Sequence, residues 1–327
     1  MADLGAPGRR TRAHRAGRAI AVIGLVLLAA GCTGGSARPD QPEKASIVVG
    51  AVPAADTAGL YIAQQRGYFA AAGLHVTIVP IVSSQDAIST QLAGRFDVTL
   101  GNYVSYVEAD ANQHAGLRII AEGSVMEPDN QGIVVPQGSR ITTLARLRGA
   151  TLAVNVINNV GTILIGSVLA ENGLSLSQVK LVPIPFPLMI AALKAHKVDA
   201  AWLPEPFLSS AEQQIGAQEI VDLDQGATVG FPIVGYAVTR AWEQKYPKTA
   251  AAFTSALEQG QAAADSDRAA VEQAAESFLG VTPRTAAVMT LPEFPLHVDR
   301  IQLQRVADAM RRFGLLGQTF DAGQMIG

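Results

Sequence analysis

Ile47-Val48-Val49-Gly50-Ala51-Val52 is a continuous apolar run, the pattern of a β-strand covered on both faces. After it come a polar loop, a helical stretch, Gly73-Leu74, a second strand, a second helix and Gly94-Arg95-Phe96-Asp97-Val98. From Thr151 the order repeats: strand, polar loop, helix, Gly173-Leu174, strand, helix, then His196-Lys197-Val198-Asp199-Ala200. The two Gly-Leu pairs lie 100 residues apart and the two aspartates 102. Strands alternating with helices imply parallel pairing through right-handed crossovers. The expected fold class is α/β, with two mostly parallel sheets in two lobes that face each other across a cleft and are joined by two hinge crossings.

The finer reading follows local signals. Pro53 ends the first strand, Asp56 or Thr57 can cap a helix running to about Arg66, and Gly67 is a stop. Residues 75–81 and 117–121 read as strands, with a helix over 104–113 before the second. Polar breaks at 127–131 and 224–230 are read as the crossings. They give lobe 1 as 46–129 and 232–327, and lobe 2 as 130–231. Helical periods over 248–264, 268–279 and 300–313 are expected to wrap lobe 1. Asp97 and Asp199 are read as scaffold, bonding backbone N–H groups where a helix meets a strand.

The N-terminus is a separate object. Arg9, Arg10, Arg12, Arg15 and Arg18 precede a 12-residue apolar stretch from Ala19 to Ala30, too short to span a bilayer and suited to a signal-peptide core. Ala29-Ala30-Gly31-Cys32 resembles the cleavage box of bacterial lipoproteins, with Leu28 one place further out than usual. That implies a signal over 1–31, cleavage before Cys32 and acyl chains, diacylglycerol with a possible palmitate, on its sulfur and amine. An ordinary secretory signal with an incidental cysteine is the alternative. Residues 32–45 are Gly, Ser, Pro and charge without apolar period, and read as a flexible tether spanning roughly 20 Å.

Composition excludes several classes. Loss of 1–31 takes five arginines and Asp3 from the 25 basic and 28 acidic residues, leaving a net of −7 without a basic stripe, so nucleic-acid binding is not expected. One cysteine allows no internal disulfide and no cysteine-based metal site, and the five histidines do not pair at ligand spacing; no metal and no cofactor are expected. There is no nucleophile elbow and no phosphate loop.

Ligands of parallel α/β sheets sit beyond the carboxyl ends of the strands. That rule selects Asp56, Thr57, Asn102 and Tyr103 in lobe 1, and Asn155, Asn158, Asn159, Thr162, Phe186, Trp202 and Glu205 in lobe 2. These loops supply amides, hydroxyls, aromatic faces and two carboxylates, with no Lys or Arg. An anion would have to rely on backbone N–H groups at a helix start, for which 158–162 is the candidate. A neutral or cationic ligand with an apolar or aromatic body fits more easily, with Trp202, Tyr103 and Phe186 as walls. Each residue has a plainer role open to it. Asp56 suits an N-cap, Asn158 and Asn159 suit turns, Trp202 could pack in the core, and Glu205, between Pro204 and Pro206, could sit in a surface turn. Glu205 with Asp56 could also pair as acid and base in a hydrolase or lyase. A third possibility is an interaction lipoprotein with a vestigial cleft.

With these features in place, the chain resembles the extracytoplasmic solute-binding proteins of ABC importers, in the group for sulfonates, nitrate, taurine and thiamine-pyrimidine precursors. The resemblance is carried by Gly67-Tyr68-Phe69 with Gly73-Leu74-His75-Val76, by Leu92 to Val98, by Ser139 to Gly149, and by Leu193 to Ala200 with Glu205-Pro206-Phe207. It covers about residues 46–327. It implies a periplasmic-binding-protein-like fold, a small-molecule ligand held between the lobes and delivery to a membrane permease. It further implies a monomer held at the outer face of a membrane by lipid on Cys32. His196 stands where the family usually has Gly, in the left-handed position after a helix, and Arg146 replaces an Asp. An enzyme relative that makes the thiamine pyrimidine depends on a cysteine-rich segment, which this chain lacks.

Overall fold

The computed structural model describes residues 41–326. The expected signal, Cys32 and most of the tether lie outside them. The first sheet holds β1 (Ser46–Ala51), β2 (His75–Pro80), β3 (Val98–Asn102), β4 (Leu117–Val125) and β10 (Pro232–Thr239), in the order β2-β1-β3-β10-β4. The second holds β5 (Gln131–Val135), β6 (Thr151–Val154), β7 (Lys180–Pro183), β8 (Ala200–Pro204) and β9 (Gln218–Asp222), in the order β7-β6-β8-β5-β9. In each sheet three strands pair in parallel, and the strand that arrives from the other lobe is inserted antiparallel beside the last. The chain therefore crosses twice, after β4 and after β9.

The helices of the first lobe before the crossing are α1 (Ala58–Gln65), α2 (Tyr68–Ala71), α3 (Ser84–Leu92) and α4 (Tyr103–Gln113). Lobe 2 adds α5 (Val160–Glu171), α6 (Phe186–Lys194) and α7 (Phe207–Ile215). After the return come α8 (Arg240–Lys245), α9 (Pro247–Ser266), α10 (Arg268–Ala274), α11 (Pro283–Val288) and α12 (Arg300–Arg312). The lobe 1 core packs Ile47 and Val49 of β1 with Leu60, Phe69, Tyr236 and Phe253. α5 is apolar all round and buried from Val160 to Leu169, as a helix covered on every side must be.

Three expectations are corrected. The tether is docked at its end: Glu43 accepts from the amides of Lys248 and Thr249 at the start of α9, and Lys44 pairs with Asp97. Its acidic side chain suits the first turn of that helix. The helix read over 268–279 is α10 followed by a π-helical turn, Ala275–Leu279, closed by Gly280 in the left-handed region. Finally, the C-terminal helices do not serve lobe 1 alone. Phe313, at the end of α12, packs where a Cβ on Gly166 of α5 would come within 2.6 Å, and Arg305 donates to the carbonyls of Ala227, Val229 and Gly230 on the return crossing.

Asp97 and Asp199 occupy the same joint in the two lobes. Asp97 accepts from the Val48 amide (2.9 Å) and Asp199 from the Thr151 amide (2.8 Å), each tying the approach to the third parallel strand to the first strand of its sheet.

Candidate functional site

A cavity of about 60 Å³ lies beyond the carboxyl ends of both sets of parallel strands. Lobe 1 presents Val52, Asp56, Ser84, Leu100 and Asn102. Lobe 2 presents Asn155, Asn159, Phe186 and Trp202, and the crossing strands add Gln131, Ile233 and Val234. Asp56 is the single ionisable side chain among the described residues of the wall, and no Lys or Arg reaches it.

Asp56 stands in a 3-10 turn, Ala55–Thr57, ahead of α1, and its side chain caps neither element. It points into the cavity wall instead, where Ser124 Oγ donates to its Oδ1 at 2.5 Å. Burial raises its carboxyl above the usual range, with the Ser124 bond pulling the other way. Asn102 caps α4 through the Ser105 amide (2.9 Å), while its Nδ2 donates to Ser84 Oγ (3.0 Å). Asn159 caps α5, accepting from the Val160 amide at 2.6 Å, and its Nδ2 reaches across the cleft to Ser105 Oγ at 3.1 Å. Trp202 and Phe186 meet edge to face, with ring centroids 5.2 Å apart. The indole is both core and wall: it is 3% exposed, lines the cavity, and donates to Gln131 Oε1 at 3.2 Å. A glycine at 161 makes room for it, since a Cβ there would lie 2.3 Å from the ring. Asn155 also lines the cavity, and its Oδ1 is sealed from solvent without a hydrogen-bond partner.

Five of the expected contacts are placed elsewhere. Thr57 is fully buried and donates to the Ala54 carbonyl. Tyr103 lies behind the wall, its ring against Gly235 and its hydroxyl bonded to Glu122. Asn158, in the left-handed region at φ 59°, is exposed, and its amide donates to Thr162 Oγ1. Thr162 is the other half of the α5 capping box. That box occupies the Val160 and Thr162 amides, so the start of α5 does not present them to an anion.

Glu205 is the largest departure. It is 2% exposed rather than on a surface turn, and it does not line the cavity. Its carboxylate accepts from Ser209 Oγ (2.6 Å), the Ser209 amide (3.1 Å) and the Thr290 amide (3.2 Å). Burial lifts it to about 6 against those three bonds. Its carbonyl accepts from the Ala55 amide, so Glu205 ties the lobes beside the cleft and does not pair with Asp56 inside it. Conversely, Ser84 and Gln131 belong to the wall and were not anticipated. Ser84 follows β2, another carboxyl end that the loop rule could have selected. Gln131 sits in the polar stretch read only as a crossing.

The family model described as NMT1/THI5 like matches residues 54–269, about two thirds of the sequence. The chain belongs to the NMT1/THI5-like family. No curated protein matches it. Several solved structures share the fold of this family member. The alkanesulfonate-binding protein SsuA from Xanthomonas axonopodis pv. citri, bound to MOPS, is similar with a TM-score of 0.73 and 19% identity, over 87% of this chain and 99% of that one. The periplasmic nitrate-binding protein NrtA from Synechocystis PCC 6803 gives 0.74 and 16%, over 87% and 86%. The desulfurization enzyme DszB gives 0.68 and 17%, over 87% and 96%. The two-lobed periplasmic-binding-protein fold therefore hosts both capture and catalysis, and the wall of this NMT1/THI5-like cleft has to decide between them.

Proposed function

We propose that this chain is the extracytoplasmic receptor of an ABC importer. As a monomer it captures one small organic molecule, of the sulfonate, nitrate and taurine type or the heterocyclic thiamine-precursor type, and hands it to a membrane permease. After signal cleavage, lipid on Cys32 holds it at the membrane, with 33–42 as the tether.

The observation that carries this reading is the cavity itself, which takes its wall from both lobes and from the two strands that cross between them. A ligand touching both lobes stabilises their closed arrangement by its differential affinity for that state. Direct ties between the lobes include Asn159 to Ser105, Ala55 and Thr290 to Glu205, Asn130 to Thr290, Thr285 to Gln213 and Arg305 to the return crossing. The same wall supports capture without turnover: Asp56 is the one ionisable group among the described residues that line it, so no second acid or base stands beside it there.

Native mass spectrometry of the purified protein tests the reading. A stoichiometric small molecule, released unchanged on denaturation and raising the melting temperature when added back, is the expected result. Release of a converted product would replace the receptor with an enzyme.

A further inference from the structure

The hydrogen-bonding groups of the cavity wall are unevenly committed. Among the donors, Asn102 Nδ2 is taken by Ser84, Asn159 Nδ2 by Ser105 and Trp202 Nε1 by Gln131, while the side-chain amides of Asn155 and Gln131 donate to no described residue. Among the acceptors, Asn155 Oδ1 on the lobe 2 side is buried and unpartnered, and the Asp56 carboxylate on the lobe 1 side is bonded only by neutral donors, the Ser124 hydroxyl and its own backbone amide. Asp56 takes part in no ion pair among the described residues, and no cation lines the cavity. A buried carboxylate without a positive partner is costly, and a sealed carbonyl oxygen without a donor adds to the cost. Neither group is explained by the fold: Asp56 caps no helix, and Asn155 bonds no backbone.

We infer that the ligand carries a positively charged, N–H-donating head, such as an amine, an amidine or a protonated ring nitrogen, which bridges Asp56 of lobe 1 and Asn155 of lobe 2. This rests on the receptor reading and narrows it. The head meets an acceptor from each lobe, so one group both identifies the ligand and holds the cleft closed. The body of the ligand lies against Trp202 and Phe186, where an aromatic face also attracts a cation. A sulfonate or nitrate finds the reverse of what it needs: an unneutralised carboxylate, no Arg or Lys, and an α5 start already capped. Burial raises the Asp56 carboxyl, and a cation placed beside it would lower it again.

Matched probes test this on ligand-stripped protein at pH 7.5: benzylamine and benzamidine as cations, benzoate and benzenesulfonate as anions, by calorimetry and melting temperature. The cations are expected to bind at least tenfold more tightly than the anions. Asp56→Asn should weaken benzamidine at least tenfold while the free protein melts no lower. Should that variant fail to fold, Asn155→Asp, which adds a second carboxylate, is expected to tighten benzamidine at least threefold. Tighter binding of the anions, an anionic co-purifying molecule, or cation binding indifferent to both substitutions would overturn the inference and leave the receptor reading standing. If no probe of either charge binds and nothing co-purifies, both fall.

Discussion

β4 and β9 hold equivalent places. Each is the outer strand beside the antiparallel insert of its sheet, and each leads the chain across to the other lobe. Each also carries a glutamate held above its ordinary range. Glu122 on β4 is pushed up to about 8, although Tyr103 and the Gly123 amide bond its carboxylate and act in the opposite direction. Glu219 on β9 is pushed up to about 7 with Asp222, Asp129, Glu212 and Glu205 all adding to the shift, and its Oε1 has no partner. The glutamate with hydrogen-bond partners is thus raised no less than the one surrounded by negative charge, with Asp299 also adding to the shift at Glu122. Depth of burial outweighs neighbouring charge here, because desolvation is the largest cause in both and Glu122 is the deeper.

That comparison predicts how stability follows pH. A carboxyl raised by folding keeps its proton where the unfolded chain has lost it. Its contribution is complete below about 4.5, falls as pH rises, and is gone above the folded value. The slope is about 1.4 kcal/mol per pH unit for each group while its window lasts. Between pH 7 and 8 the Glu122 window remains open after that of Glu219 has closed. Glu122→Gln keeps an acceptor for Tyr103 and removes the titration. Relative to the parent it should gain on the order of 3 kcal/mol between pH 5 and pH 8 in urea denaturation. Glu219→Gln should gain less, with its gain levelling off once pH has passed about 7, because that carboxylate is partly solvated. Parallel profiles for parent and Glu122→Gln would remove the role of burial at β4.

The aspartates that mark the repeat sharpen the same contrast. Asp97 is buried and serves the Val48 amide, Trp242 Nε1 (2.8 Å) and Lys44. Asp199 is exposed and serves the Thr151 amide alone. The lobe 1 joint has been built over by α8 and by the segment before β1, whereas the lobe 2 joint has stayed bare. Asp97→Ala should therefore cost about 2 kcal/mol, and Asp199→Ala less than about 1 kcal/mol. Equal losses would mean that the added partners of Asp97 contribute nothing.

Much of this was legible in the sequence. Continuous apolar runs gave the strands, Gly-Leu pairs and joint aspartates the doubling, and polar breaks the crossings. The carboxyl-end rule selected Asp56, Asn102, Asn155, Asn159, Phe186 and Trp202, and all six line the cavity. It could not say where a loop side chain points. Asn102 and Glu205 each end or follow the third parallel strand of a lobe, yet one faces the cavity and the other turns to Ser209 and Thr290. Thr290 lies 85 residues further on. Aim of that kind is set by distant neighbours, which a local pattern does not contain. The same holds for Tyr103, turned away by Glu122, and for Phe313, which reaches α5.

The smallest effect concerns the helix ends just before those aspartates. Gly94 sits at φ 73° and its counterpart His196 at φ 51°. Their hydrogen bonds match: Gly94 N to Gln91 O and Arg95 N to Thr90 O in one lobe, His196 N to Leu193 O and Lys197 N to Ala192 O in the other. Histidine has thus not distorted the joint; it has taken the left-handed conformation that the joint demands. For a residue with a Cβ that conformation costs roughly 1 kcal/mol, while glycine gives back part of the gain through the freedom of its unfolded chain. His196→Gly should therefore stabilise by about 0.5 kcal/mol. Gly94→His should destabilise by a similar amount, since no atom lies within 4 Å of the position its Cβ would take and backbone conformation alone is at stake. A loss of stability in His196→Gly would show that the imidazole makes a contribution larger than the strain it imposes.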